Sequence, residues 1–271
     1  MRLGIGSYAY AWAIGVPGYP PPPRPMRAVD LLDRAAALGV RVVQIADNLP
    51  LDRLTDAEVD GLLRQADAQG IDIEVGTRGI RLDHLQIYLD LAVRLRSPIL
   101  RVVVDTADDH PEADEVVNRV KAIAPAFETA DVCLAIENHD RFKAEALAGI
   151  CRQVDSAHVG VCLDTVNSFG ALEGPEVVVD TLGPWVVNLH VKEFAIRRAD
   201  HLMGFLIEGR PAGQGHLNLP WLLERLRTME RDVNAILELW PPPEATVAET
   251  LVKEAAWAEE SVAYLRRFIP G

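Results

Sequence analysis

The feature that most constrains this chain is an alternation of short apolar runs with longer amphipathic stretches, repeated eight times. The apolar runs lie near Leu3–Ser7, Arg41–Ala46, Ile71–Gly76, Ile99–Val104, Val132–Ile136, Val159–Leu163, Trp185–Leu189 and Val233–Leu237. Helical patterns follow them near Met26–Leu38, Thr55–Gln69, Arg81–Arg96, Pro111–Ala130, Lys143–Val154, Pro175–Leu182, Leu219–Glu230 and Ala245–Phe268. Thr55 and Glu58 have capping-box spacing, and Gly39 and Gly70 stand where helix C-terminal glycines belong. Apolar strands that alternate with helices form a parallel sheet, and eight such units close most simply into a (β/α)8 TIM barrel. At 271 residues the chain has the length of one barrel, so residues 1–271 are read as a single α/β domain.

In such a barrel the chemistry sits at the C-terminal ends of the strands. Four of the runs end on a metal-binding residue type: Glu137, Asp164, His190 and Glu238. Glu137 to Asp164 is 27 residues and Asp164 to His190 is 26, each about one β/α unit. His190 to Glu238 is 48 residues, the excess being a long connection after the seventh strand. The four therefore come from strands five to eight at equivalent positions. A lone strand-end carboxylate is commonly a cap or an ion-pair partner, but four in register are harder to explain that way. Three crowded carboxylates repel one another, and a divalent cation relieves the repulsion. Oxygen donors plus one imidazole suit Mn²⁺ or Mg²⁺, with Co²⁺ also compatible.

Two connections are long and follow strand C-termini: Tyr8–Pro25, with its PGYPPPPRP run, and Phe194–Asn218. The first reads as a stiff extended loop, and both as lids or binding loops. Candidate substrate contacts are His139 and Lys192, each two residues past a ligand, together with Arg78, Arg197 and Trp12. Trp12 offers a face for stacking on a sugar, although loop packing explains it equally well. Glu193 is expected to orient a neighbour or cap a turn.

The segments IENHD, VCLDTVN, NLHVKE and ILELW resemble the metal-site segments of the xylose isomerase-like TIM-barrel superfamily. The resemblance implies a Mn²⁺- or Mg²⁺-dependent enzyme acting on a small keto sugar or sugar acid. It gives Glu137, Asp164, His190 and Glu238 the ligand role, and Glu137 and Glu238 the acid–base role of the epimerases. The metal polarises a carbonyl and stabilises an enediolate, which isomerisation, C3 epimerisation and decarboxylation of a 3-oxo acid all share. Asn167 stands where the ketose 3-epimerases carry a substrate-contacting histidine. The runs GIGSYAYAWAIGVPGYPPPP and QIADNLPL also resemble decarboxylases of the 3-oxo-isoapionate type. The leading expectation is an isomerase or epimerase, and the alternative is a lyase on the same scaffold. An abasic-site endonuclease would need more strand-end histidines and a basic groove; a non-catalytic sugar binder would not keep an intact quartet.

The net charge of −13 argues against a nucleic-acid partner. No apolar run approaches ~20 residues, so no membrane span is expected. The N-terminus enters a strand without a signal-peptide pattern, and Cys133, Cys151 and Cys162 form no disulfide framework, which together point to the cytoplasm. The expected partner is a small carbohydrate, with a homo-oligomer compatible through apolar helix faces.

Overall fold

Val, Ile and Leu dominate the eight runs, and in the computed structural model, which describes residues 1–270, each run becomes an almost wholly buried strand. They are β1 (Leu3–Gly6), β2 (Val42–Ile45), β3 (Asp72–Arg78), β4 (Ile99–Val103), β5 (Cys133–Glu137), β6 (Val159–Asp164) and β7 (Val186–Val191). An antiparallel pair follows, β8 (Glu193–Arg198) and β9 (Phe205–Arg210), before the last barrel strand, β10 (Ala235–Leu237). The barrel closes in the order β1–β10–β7–β6–β5–β4–β3–β2, and every neighbouring pair is parallel. The fold is the expected (β/α)8 TIM barrel.

The helices are α1 (Ala11–Ile14), α2 (Ala28–Leu38), α3 (Asp56–Gln69), α4 (Leu82–Arg94), α5 (Ala113–Ala130), α6 (Ala144–Val154), α7 (Pro175–Leu182), α8 (Leu219–Thr228) and α9 (Val247–Leu265). Thr55 and Glu58 form the expected capping box at the start of α3. Gly39 and Gly70 end α2 and α3 with φ of 67° and 63°, a conformation that suits glycine. No helix among the described residues is long and apolar enough to cross a membrane.

Register decides where chemistry can occur. Asp164 pairs with His190 across β6 and β7, and His190 pairs with Ile236 across β7 and β10. Glu238 lies two residues past Ile236, so strand alternation points it to the same side. Gly6 makes room for it: a Cβ there would sit 3.2 Å from Glu238 Cγ.

The two long connections depart from expectation. Tyr8–Pro25 is not extended from its start but begins with helical turns, Ser7–Tyr10 and α1. Buried Glu254 on α9 accepts the backbone N–H groups of Trp12 at 2.7 Å and Ala13 at 3.0 Å, which holds that first turn in place. Phe194–Asn218 is largely the β8–β9 ribbon, reversed through a turn in which Gly204 adopts φ of 114°. The ribbon and its turn expose Ile196, Leu202, Met203, Phe205, Leu206 and Ile207. Buried Glu193 anchors the segment beyond it, accepting N–H groups from Gly213 and Leu217, each at 2.9 Å.

Candidate active site

Four buried side chains converge at the C-terminal mouth of the barrel. His190 Nδ1 lies 3.4 Å from Glu238 Oε1, 3.5 Å from Glu137 Oε2 and 3.7 Å from Asp164 Oδ2. Ligand atoms of Asp164, His190 and Glu238 all fall within 4.8 Å of one another. These are the four residues that the strand ends singled out.

Each is held by its neighbours. Asp164 Oδ1 accepts the N–H groups of Val166 and Asn167, both at 2.8 Å, which turns Oδ2 toward the cluster. Asn138 clamps the same residue, accepting the Asp164 N–H at 2.7 Å and donating to its carbonyl at 2.9 Å. Glu137 is engaged on both oxygens. The guanidinium of buried Arg101 pairs with Oε2, and Asn167 Nδ2 donates to Oε1 at 2.6 Å. Arg101 also reaches Asp47 at 2.9 Å, and Arg78 meets the other Asp47 oxygen at 3.1 Å. Tyr8 donates to Asp47 at 3.1 Å and completes this part of the rim.

The electrostatics favour a cation at the point of convergence. Burial disfavours charge on His190, yet Cys162, Glu238 and Glu137 together outweigh it and hold the imidazole pKa well above its ordinary value. Burial likewise opposes ionisation of Asp164 and Glu238, but Lys192 and His190 overcome it and hold both carboxyl groups below their usual range. The Lys192 ammonium lies 2.8 Å from Asp164 Oδ2 and 2.9 Å from Glu238 Oε2, as ion pairs without hydrogen-bond alignment. Asp164 Oδ2, His190 Nδ1 and both Glu238 oxygens are buried without a hydrogen-bond partner among the described residues. Unpaired buried donor atoms converging on one point are what a bound ion satisfies. Three carboxylates and an imidazole fit a hard divalent cation. Cys162 lies beside the cluster, and burial pushes its thiol up to about 11.

The remaining candidates divide. Lys192 and Asn167 line a cleft of about 300 Å³ beside the cluster, together with Phe169, Ile207 and Trp240. Their side chains meet, Lys192 Nζ donating to Asn167 Oδ1 at 3.3 Å. Arg78 joins the cluster through Asp47 and Arg101 and also donates to the Asp105 carbonyl at 3.1 Å. His139 turns to Asp140, with Nδ1 3.0 Å from the carboxylate. Trp12 is buried, its indole N–H donating to the Pro241 carbonyl at 3.0 Å and its ring packed on Tyr19. Arg197 is not brought to the cluster: it lies exposed on β8, bound to Glu208 at 2.9 Å and Asp200 at 3.2 Å. Sequence reasoning missed Arg101, Asn138, Gln44 and Glu74, which sit within or just past strands. Their signal was a polar residue interrupting an apolar run, as in ILRVV and IDIEVG.

The xylose isomerase-like TIM barrel family profile matches residues 32–268. The chain belongs to that family. This xylose isomerase-like barrel is 34% identical over 265 residues to the 3-oxo-isoapionate decarboxylase of Pectobacterium atrosepticum, across 98% of this chain and 95% of the relative. The crystal structure of a D-psicose 3-epimerase in the presence of D-fructose superposes with a TM-score of 0.75 at 16% identity, covering 100% of both chains. A xylose isomerase-like TIM barrel protein from Mycobacterium smegmatis, in complex with magnesium, gives 0.69 at 13% identity over 96% of this chain and 97% of that one. At such identities these two share the fold. Other structures that share the fold include an L-ribulose 3-epimerase and a probable 3-DHS dehydratase.

Proposed function

We propose that this barrel is a divalent-metal-dependent decarboxylase of a 3-oxo sugar acid. The observation that carries the reading is an asymmetry between two carboxylates. Both oxygens of Glu137 are committed, to Arg101 and to Asn167, while both oxygens of Glu238 are buried without a hydrogen bond. C3 epimerisation needs two groups that exchange protons on opposite faces of one carbon. Loss of CO₂ needs only one proton delivered to the carbon that gives up its carboxylate. One carboxylate locked by hydrogen bonds and one held instead by its ion pair with Lys192 suit the second task. The extended identity to a 3-oxo-isoapionate decarboxylase supports it, as does asparagine at position 167.

Glu137, Asp164, His190 and Glu238 would hold the ion, which when bound polarises the 3-oxo group and its neighbouring hydroxyl. Glu137 is fixed by Arg101 and serves as a stationary ligand. Glu238 relays a proton from solvent to the carbon left with an electron pair as CO₂ departs. Lys192, on the wall of the cleft, meets the substrate's acidic end, and Trp240 and Phe169 give the cleft its apolar surface.

The test is mass balance. With Mn²⁺ and a 3-oxo sugar acid labelled with ¹³C at the carboxylate, the protein should release labelled CO₂ and leave D-fructose and D-psicose unconverted. Interconversion of the ketoses without CO₂ release would replace this reading with epimerisation.

A further inference from the structure

A buried polar network lies beneath His190, and none of its members is a candidate ligand. Glu74 on β3 is 2% exposed and sits inside the barrel. Its Oε2 accepts N–H groups from Gln44 at 3.1 Å and Asn188 at 3.0 Å, and its Oε1 accepts one from Asn234 at 2.7 Å. The second N–H of Gln44 goes to Asn188 Oδ1 at 3.0 Å. Register brings the pair together, because Gln44 and Glu74 are directly opposed across β2 and β3.

These bonds fix the amide. Both Gln44 N–H groups are spent, so the Gln44 carbonyl oxygen faces His190 Nε2, 2.6 Å away. Rotating the amide would turn that oxygen toward Glu74 Oε2 and Asn188 Oδ1 in a buried site and give up both N–H bonds that Gln44 donates there. The imidazole nitrogen opposite the oxygen must therefore carry a hydrogen, and Nδ1 is the nitrogen turned to the three carboxylates. Outer partners of this kind orient metal-binding histidines.

We infer that Glu74 is a positioning residue for the cation site: acting through Gln44, it determines which nitrogen of His190 is offered to a divalent ion. This rests on the reading that the four-residue cluster binds such an ion. Glu74 touches no member of that cluster, so its influence should be visible in metal affinity and not only in turnover.

Mn²⁺ binding to the metal-free full chain, followed by the EPR signal of the free ion, tests the idea without a substrate. Glu74→Met and Gln44→Met should each weaken binding by about 10- to 100-fold while the circular dichroism spectrum is retained. The double variant should bind no more weakly than Gln44→Met alone, since both changes act through one contact. Should Glu74→Met not fold, Glu74→Ala leaves a polar cavity that water can fill and serves in its place. Wild-type affinity in a folded Glu74 variant, or two losses that simply add, would overturn the inference while leaving the metal reading intact. Failure of the wild type to bind Mn²⁺ would end both.

Discussion

The Lys192 ammonium stands 2.8 Å from Asp164 Oδ2, a fixed positive charge at the edge of the point on which four buried side chains converge. It also lies 2.9 Å from Glu238 Oε2, so one lysine balances two carboxylates that burial would otherwise keep neutral. Removing one partner of a buried ion pair leaves an uncompensated charge. Lys192→Met should lower the unfolding free energy of the metal-free protein by about 3 kcal/mol. Mn²⁺ should then stabilise the variant more than it stabilises the wild type, because the ion supplies the missing charge. Urea denaturation with and without Mn²⁺ measures both effects. Equal metal-free stabilities would show that Lys192 does not balance the pair.

Glu238 carries the proton in the proposed reaction; its two oxygens make no hydrogen bond, and its Oε2 is ion-paired with Lys192 at 2.9 Å. Glu238→Gln should lower the rate of CO₂ release by about 10²- to 10⁴-fold, the range for a lost acid–base group, with an unchanged circular dichroism spectrum. Mn²⁺ binding measured alongside separates loss of the proton carrier from loss of the ion. A variant that still binds Mn²⁺ and turns over near the wild-type rate would remove Glu238 from the chemistry.

Chelation provides an independent check on the cluster. EDTA should abolish CO₂ release, and Mn²⁺ or Mg²⁺ should restore it. An ion present at a hundred times its dissociation constant should also raise the unfolding free energy by about 2.7 kcal/mol. Activity that survives exhaustive chelation would remove the metal from the proposal.

The quartet was legible because each member is the polar residue that stops an apolar run, at intervals set by the β/α repeat. Lys192 was legible through its place two residues past His190, and Asn167 through the histidine that the ketose 3-epimerases carry at that position. The supporting residues were harder to see. Arg101, Gln44 and Glu74 occur inside strands, where a polar residue is unfavourable unless partnered, and their partners lie on other strands. Gln44 and His190 are 146 positions apart, so no local pattern links them. The ribbon was read as a loop because its charged residues hide the strand signal. Arg197 alternates with apolar neighbours on β8 and is drawn to Glu208 across the ribbon, away from the mouth. Trp12 followed the same logic: the feature noticed was an aromatic residue near the mouth, whereas its position is set by Glu254 and Pro241, more than two hundred residues later.

Glu254 makes the stability of the protein depend on pH near neutrality. Burial raises its carboxyl pKa from 4.5 to about 7, an effect that the N–H groups of Trp12 and Ala13 only partly oppose. The folded chain thus keeps this proton to a higher pH than the unfolded chain does. Between the two values the folded state binds more protons, so stability is highest below about 4.5 and falls as pH rises through about 7. The shift corresponds to a loss of about 3 kcal/mol. Glu254→Gln has nothing to titrate there and should lack that slope. Urea unfolding at pH 5 and pH 8 should show the wild type losing about 2–3 kcal/mol more than the variant across this interval. All other ionisable groups are common to both proteins and cancel in the comparison. Parallel pH profiles would mean that Glu254 is already ionised in the folded chain at pH 5.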